Sequence, residues 1–414
     1  MRLLFLTAET CPTFRADVNV LFAKYLPRNG IHSDIVTGRT PGHIGDIRWG
    51  GGEAFLCDVA GGRAKKHMKI LLHGIRRLFA ANSRRYEAIQ VRDMPVLAAF
   101  GLMAARLKRL RFYYWMSYPI PEGQIALARE RGLSAGLMRF LFPWVSGRIG
   151  RFVLYRLILP RADHVFVQSA CMKADMVGRG VAPEKMTPIP MGVDLEAIRP
   201  EQIPPADDHR LAGRRVLVYL GTLDRPRRIE TLFEMLTLLK TQIPEALLVL
   251  VGGTDDEAHC AWLKRKAVAQ GVADDVLWTG WLPTREAWRY VRAAEVGLSP
   301  VPRGRLLDNA SPTKVPEYLA VGIPVVCSDN PDQAAVIQES RAGLCVPYTA
   351  QDFAGAVAAL LALDGATRSR MFVDGRRYVA EHRDYRVLGE SLAQSYRVLM
   401  NSAHASKAPV TTDR

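Results

Sequence analysis

Ten short apolar runs, most of them rich in β-branched or aromatic residues, recur along the chain at 3–7, 32–37, 87–91, 111–115, 164–168, 216–220, 247–251, 276–280, 295–299 and 323–328. Between several of them the apolar positions change to helical spacing, as with Ile229, Leu232, Phe233, Leu236 and Leu239. Alternating strand and helix patterns of this kind predict parallel sheets covered by helices on both faces.

The alternation breaks at residues 198–213, where prolines cluster and no period survives, and a new strand pattern begins at Arg215. A chain of 414 residues is comfortable as two domains of ordinary size. The predicted fold class is therefore α/β, with two Rossmann-like domains in tandem and a site in the inter-domain cleft. The first domain is placed at 1–200 and the second at 201–385. A helix at 386–405 is expected to return to the first domain, and 406–414 reads as a disordered tail.

Charge sharpens this division. Residues 1–200 carry 30 Lys/Arg against 15 Asp/Glu, whereas residues 201–414 carry 26 of each, so the whole excess of +15 lies on the first half. Such asymmetry points to an anionic partner for that half. The six cysteines are far apart with no C-x-x-C pair, which argues against a disulfide scaffold or zinc site and for a reducing compartment. The opening MRLLFLTAET makes a poor signal peptide, since its apolar run is only Leu3 to Leu6. The most apolar long stretch, 137–159, contains Arg139, Arg148, Arg151 and Arg156. Burying each at a bilayer centre would cost about 2.5–3.5 kcal/mol, so it is not expected to span a membrane. The expected location is cytoplasmic, with peripheral contact at the inner membrane face.

The clearest chemistry sits at SPTKVPEYLAVGIPVV, residues 311–326. Ser311 is a suitable N-cap and Pro312 a suitable first helical residue, with Thr313 and Lys314 following; Gly322 and Pro324 end the helix. A helix start at the carboxyl end of a parallel strand offers free N–H groups and positive dipole to a phosphate. Lys314 in the first turn adds a full charge, and Glu317, one turn deeper, can accept both hydroxyls of a ribose. The bland alternative is a Lys314–Glu317 surface pair worth a few tenths of a kcal/mol. A second loop, Gly221 to Arg228 (GTLDRPRR), opens from the strand at 216–220. Gly221 permits a sharp turn and close approach to a ligand, Thr222 follows it, and Arg227 and Arg228 can clamp a diphosphate.

These stretches carry a resemblance. Residues 162–200, the loop YLGTLDRPRRIETL, the stretch VPEYLAVGIPVVCSD and the C-terminal QDFAGAVAALLAL with LGESLAQSYRVLM resemble glycosyltransferase family 4, of the GT-B superfamily. Over most of residues 160–400 the similarity is specific as an ensemble; before residue 160 only strand order resembles the family. The resemblance implies sugar transfer from a nucleotide-diphosphate donor, with retention at the anomeric carbon, no bound metal and no cofactor, the nucleotide-sugar being a substrate. It sets Arg228 on the family's phosphate-binding lysine and Glu317 on the second glutamate of its E-x7-E motif. Asn309 stands where the first glutamate belongs, Thr222 replaces a common arginine, Ile229 a glycine, and Ser117 a histidine, so no general base is named. Arg228 and Lys314 are expected to stabilise the leaving diphosphate.

On the acceptor side, residues 62–86 hold eight Lys/Arg and no acid, with Met68, Leu71, Leu72, Ile75, Leu78 and Phe79 at helical spacing. A basic amphipathic helix suits an anionic membrane surface, at ~1 kcal/mol per basic side chain, or packs on the sheet with a solvated basic face. The arginine- and aromatic-bearing stretch 129–161 adds to the membrane case. The expected acceptor is a glycan, free or linked to a polyprenyl diphosphate, as in exopolysaccharide or cell-surface polysaccharide synthesis. A GT-B sugar-nucleotide epimerase and a catalytically impaired nucleotide-sugar-binding protein are the alternatives. A nucleic-acid partner is not expected, since it would leave the phosphate-site helix unused.

Overall fold

The computed structural model describes residues 1–43, 45–133 and 136–405, except the side chains of Arg63 and 402–405. The tail at 406–414 lies outside the described residues. The chain forms two compact units, Met1–Pro190 with the segment from Tyr385, and Met191–Asp384.

The first unit contains a seven-stranded parallel sheet built from β1 (Arg2–Leu6), β2 (His32–Gly38), β3 (Ala54–Cys57), β4 (Ala88–Arg92), β5 (Arg111–Met116), β6 (His164–Val167) and β7 (Met186–Pro188), in the order β3-β2-β1-β4-β5-β6-β7. Side-chain alternation supplies a core on each face: Leu4 and Leu6 pack with Val36, Ile89 and Val91, while Leu3 and Phe5 pack with Phe22, Tyr113 and Phe166. The closing helix Tyr385–Ala405 belongs to this second core. Leu388, Leu392 and Tyr396 are buried in it, and the Tyr396 hydroxyl donates to Gln90 at 2.5 Å.

The second unit contains a six-stranded parallel sheet of β8 (Arg215–Leu220), β9 (Ala246–Val251), β10 (Val276–Gly280), β11 (Val296–Ser299), β12 (Val325–Ser328) and β13 (Gly343–Val346), in the order β10-β9-β8-β11-β12-β13. Again Val216 and Val218 enter one core while Leu217 and Tyr219 enter the other. The chain leaves β8 in one direction and returns to its other side at β11. The carboxyl ends of these two strands therefore mark a topological switch point, where open α/β sheets bind ligands.

All ten predicted runs match strands to within one or two residues at each end. The expected linker at 198–213 is instead part of the second unit, where Ile198 and Ile203 are buried. A buried network explains why this unit begins at Met191. Arg383 pairs with Asp332 at 2.9 Å, and the Met191 N–H donates to Ser311 Oγ, also at 2.9 Å. Asp384 bridges to Val193.

The basic helix expected in residues 62–86 is present at Arg63–Ala80. Ile70 and Leu78 are buried and Leu71 and Ile75 half-buried against the sheet, while the Arg77 guanidinium lies 4.1 Å from the Phe55 ring. Its apolar residues thus divide: these four pack into the unit's own core, whereas Met68 (54%), Leu72 (59%) and Phe79 (41%) are exposed. Among the described residues no helix is long and apolar enough to cross a membrane.

Candidate functional site

A cavity of about 320 Å³ opens at the carboxyl ends of β8, β9 and β10 in the second unit. It is lined by Leu220, Gly221, Thr222 and Arg227 from the loop after β8, by Thr313, Lys314 and Glu317 from the helix after β11, and by Trp281 and Trp288 near the end of β10. Six of the predicted donor-site residues therefore meet in one cavity: Gly221, Thr222, Arg227, Thr313, Lys314 and Glu317.

The loops come this close because glycines permit it. Gly221 has φ +140°, and a Cβ there would meet Lys314 Cε at 3.0 Å and Nζ at 3.1 Å. On Gly252 (φ +134°) a Cβ would meet the Gly221 carbonyl oxygen at 2.1 Å, so neither position tolerates a side chain without movement. The Gly221 N–H donates to the Val251 carbonyl at 2.9 Å, and the Leu223 N–H to that of Gly253 at 2.9 Å.

The helix that carries Lys314 runs from Lys314 to Val321. It starts later than its sequence suggests. Thr313 is the N-cap residue and makes no side-chain capping bond. Ser311, the expected cap, has its hydroxyl engaged elsewhere: it accepts from Met191 N–H and donates to Asp332 at 2.8 Å. Pro312 accordingly precedes the helix rather than opening it. The C-terminus ends at Gly322 with φ +99°, as expected. Tyr318 fastens the helix to the sheet. Its hydroxyl accepts from Leu220 N–H at 2.8 Å and donates to the Leu298 carbonyl at 3.2 Å. The first turn is thereby held over the switch point between β8 and β11.

Lys314 is buried, with Nζ 5.1 Å above the centre of the Tyr219 ring. Burial pushes its pKa down to about 7, the nearby Arg227 cation acts in the same direction, and Glu317 opposes both. Glu317 is pushed up to about 7 by burial, with Lys314 pulling it back. The pair is not a solvated surface ion pair, which would leave both groups near their ordinary values. An ammonium buried beside a second cation concentrates positive charge at this end of the cavity.

Three predicted residues lie elsewhere. Arg228 does not line the cavity: it adopts a left-handed backbone (φ +50°), its guanidinium lies 6.0 Å from the Tyr348 ring, and its carbonyl accepts from the Tyr348 hydroxyl at 2.7 Å. Arg227, one residue earlier, points its charge at Lys314 instead. Ser311 serves the buried network described above. Asn309 is 2% exposed, at the end of the short helix Arg305–Asp308, and does not line the cavity.

The sequence reading missed the two tryptophans. Trp281 is 60% exposed and stands beside Gly253, whose Cβ, if present, would lie 2.9 Å from its indole nitrogen. A tryptophan directly after the predicted strand at 276–280 was the signal available for Trp281. Within the first unit, Ser117 follows β5 and donates its backbone N–H to the Asp93 carboxylate at 2.7 Å; its hydroxyl bonds the same carboxylate. Asp93, also unflagged by sequence, has a left-handed backbone (φ +57°), pairs with Arg92 at 3.3 Å and is raised from its ordinary pKa by burial.

Two open parallel α/β sheets of this order, with a cavity at the switch point of the second, are the GT-B class of fold. A family model described as Glycosyl transferase 4-like domain matches residues 20–192, and one described as Glycosyl transferases group 1 matches residues 214–363. The chain belongs to the family 4 glycosyltransferases of the GT-B superfamily and is a glycosyltransferase. It is 28% identical over 285 residues to a GDP-mannose-dependent α-(1-6)-phosphatidylinositol monomannoside mannosyltransferase of Mycobacterium tuberculosis, covering 66% of this chain and 73% of that protein. The Mycolicibacterium smegmatis protein of the same name is 28% identical over 211 residues, 50% of this chain and 54% of its own length. Among solved structures, sucrose-phosphate synthase from Thermosynechococcus elongatus superposes with TM-score 0.71 at 20% identity, over 97% of this chain and 100% of that one. Anabaena HepE in complex with UDP-glucose gives TM-score 0.65 at 13% identity, over 96% and 100%.

Proposed function

We propose that this glycosyltransferase takes a sugar from a nucleotide-diphosphate donor bound in the Gly221–Lys314 cavity and passes it to a glycan or lipid-linked acceptor. The buried, cation-flanked Lys314 carries this reading. The diphosphate lies against the first turn of the Lys314–Val321 helix, where N–H groups, the Lys314 ammonium and the Arg227 guanidinium answer its charge. Glu317 accepts the ribose hydroxyls, and Trp281 offers an exposed aromatic face to the base. In this proposal Arg227 makes the phosphate contact that sequence resemblance assigns to Arg228, while Arg228 shapes the loop through Tyr348.

The same cations stabilise the departing diphosphate as the glycosidic bond breaks, which is where negative charge develops. With that charge met by fixed side chains and helix N–H groups, the reaction is proposed to need no bound metal or cofactor. Retention at the anomeric carbon follows the family. The two mycobacterial relatives are named for a GDP-mannose donor and a lipid-bearing acceptor, which makes GDP-mannose the first donor to test. It also supports a lipid-bound acceptor, such as a polyprenyl-diphosphate-linked saccharide, at the inner face of a membrane in cell-surface polysaccharide assembly.

A panel of UDP- and GDP-sugars scored by thermal shift tests the donor site, because stabilisation follows affinity for the folded state. One donor, GDP-mannose first, should raise the melting temperature, and Lys314→Ala should remove that rise. An unchanged shift in Lys314→Ala would sink the site as drawn.

A further inference from the structure

The helix Leu137–Phe152 inverts the usual arrangement of a helix in a water-soluble unit. Its buried positions are Pro143, Gly147 and Gly150. They close on the helix Ile120–Arg131 so tightly that a Cβ on Gly147 would lie 2.7 Å from Ile125 Cγ1 and 2.9 Å from the Pro121 carbonyl oxygen. The large apolar residues face the other way. Met138 is 73% exposed, Phe142 68%, Val145 42%, Ile149 54% and Phe152 62%. At about 100° per residue these five fall within roughly 40° of one line along the helix. Arg139 borders that stripe on one side and Arg148 on the other, and the helix contains no acid; Arg151 lies further round, towards Gly147, and pairs with Glu122 at 3.8 Å. Trp144 lies on the Arg148 side, with the guanidinium 5.4 Å from its ring.

Single exposed apolar residues need no explanation, but an unbroken stripe four turns long does. We infer that the Leu137–Phe152 helix is a bilayer-docking element, which lays Met138, Phe142, Val145, Ile149 and Phe152 into the acyl boundary of an anionic membrane while its arginines meet lipid phosphates. Charge complementarity selects this occupant. The charged residues that flank the stripe, Arg139 and Arg148, are both cations, and it lies in the half of the chain that carries the whole +15 excess. A helix with an apolar face and basic margins is suited to the plane of the headgroups. The helix Arg63–Ala80 divides its apolar residues, with Ile70, Leu71, Ile75 and Leu78 packed inward and only Met68, Leu72 and Phe79 exposed.

This docking serves the lipid-side acceptor proposed for the enzyme and rests on that reading for its purpose. Thermal shift with GDP-mannose does not involve this helix and reports separately on the donor site. The test is flotation of the full chain with vesicles of phosphatidylcholine containing phosphatidylglycerol, against phosphatidylcholine alone. Wild type should bind the anionic vesicles at low salt and less at high salt. Phe142→Ser/Ile149→Ser should lower vesicle affinity roughly a hundredfold, from the apolar area withdrawn. Arg139→Glu/Arg148→Glu should lower it by about thirtyfold or more. All four positions are exposed, so circular dichroism should be unchanged; should one double variant fail to fold, the other still decides. Wild type that ignores anionic vesicles, or folded variants that bind as wild type does, would overturn the inference. So would a wild-type dimer in sedimentation that Phe142→Ser/Ile149→Ser converts to monomer, because the stripe would then be a contact between copies.

Discussion

Lys314 allows a quantitative prediction of how donor affinity varies with pH. In the donor-free protein its pKa is pushed from 10.5 down to about 7. The unfolded chain therefore holds more protons than the folded one between pH 7 and 10.5, and this site adds to donor-free stability as pH rises through that window. Donor binding should run the opposite way. A diphosphate beside Nζ restores the charged form, so binding above pH 7 takes up about one proton. With a free-protein pKa of about 7, roughly a quarter of Lys314 is protonated at pH 7.5 and about 3% at pH 8.5. Affinity for a nucleotide-sugar should thus fall about eightfold between these two values. The donor diphosphate has no ionisation in this range, whereas a free nucleotide diphosphate does, so GDP-mannose is the better titrant. Glu317, also near 7, is mostly ionised at both pH values and offsets little. Calorimetry in two buffers of different ionisation enthalpy should show uptake of close to one proton at pH 8.5, and Lys314→Met should abolish it. A flat affinity from pH 7.5 to 8.5, with no proton uptake, would refute the idea that this lysine meets the diphosphate.

Other consequences concern the neighbours of Lys314. Arg227→Ala should weaken donor binding roughly tenfold or more, as expected for loss of a charge-assisted hydrogen bond, whereas Arg228→Ala should change it much less; competition binding that ranks them in reverse would move the phosphate contact to Arg228. Gly221→Ala should displace the Lys314 ammonium and cut donor-induced thermal stabilisation, while a variant that binds as wild type does would show the loop has room to adjust. Arg383→Ala leaves Asp332 buried without its guanidinium; loss of about 3–5 kcal/mol is expected, roughly 10 °C in melting temperature. A calorimetric change near zero would mean that the network does not anchor the second unit.

What could be read from the sequence divides along physical lines. The ten runs recognised as strands include every interior strand, because burial on both faces favours apolar and β-branched residues, even though β2 and β4 also bury Asp34, Gln90 and Arg92. The three overlooked strands, β3, β7 and β13, are all sheet edges of three or four residues, and short edge strands carry little apolar pattern. At the site, the lysine, the glutamate and the glycine loop were visible because each departs from what a plain helix or turn needs. The true helix start was not, since Ser311 is recruited by Met191 and Asp332, residues distant in sequence. Nor was the choice between Arg227 and Arg228. It depends on a left-handed backbone at Arg228 that sends adjacent side chains different ways. Trp281 and Trp288 enter the cavity only through the strand order, which brings the end of β10 towards those of β8 and β9.

The central claim is transfer of a sugar from a nucleotide donor to a lipid-bearing acceptor. Incubation of the protein with sugar-labelled GDP-mannose and the wider donor panel, with and without a bacterial lipid extract, followed by chromatography, tests it most directly. The account predicts label moving into the lipid-soluble fraction only when extract is present, and not with Lys314→Ala. An isomerised donor formed without acceptor, or bound donor that no acceptor fraction discharges, would contradict it.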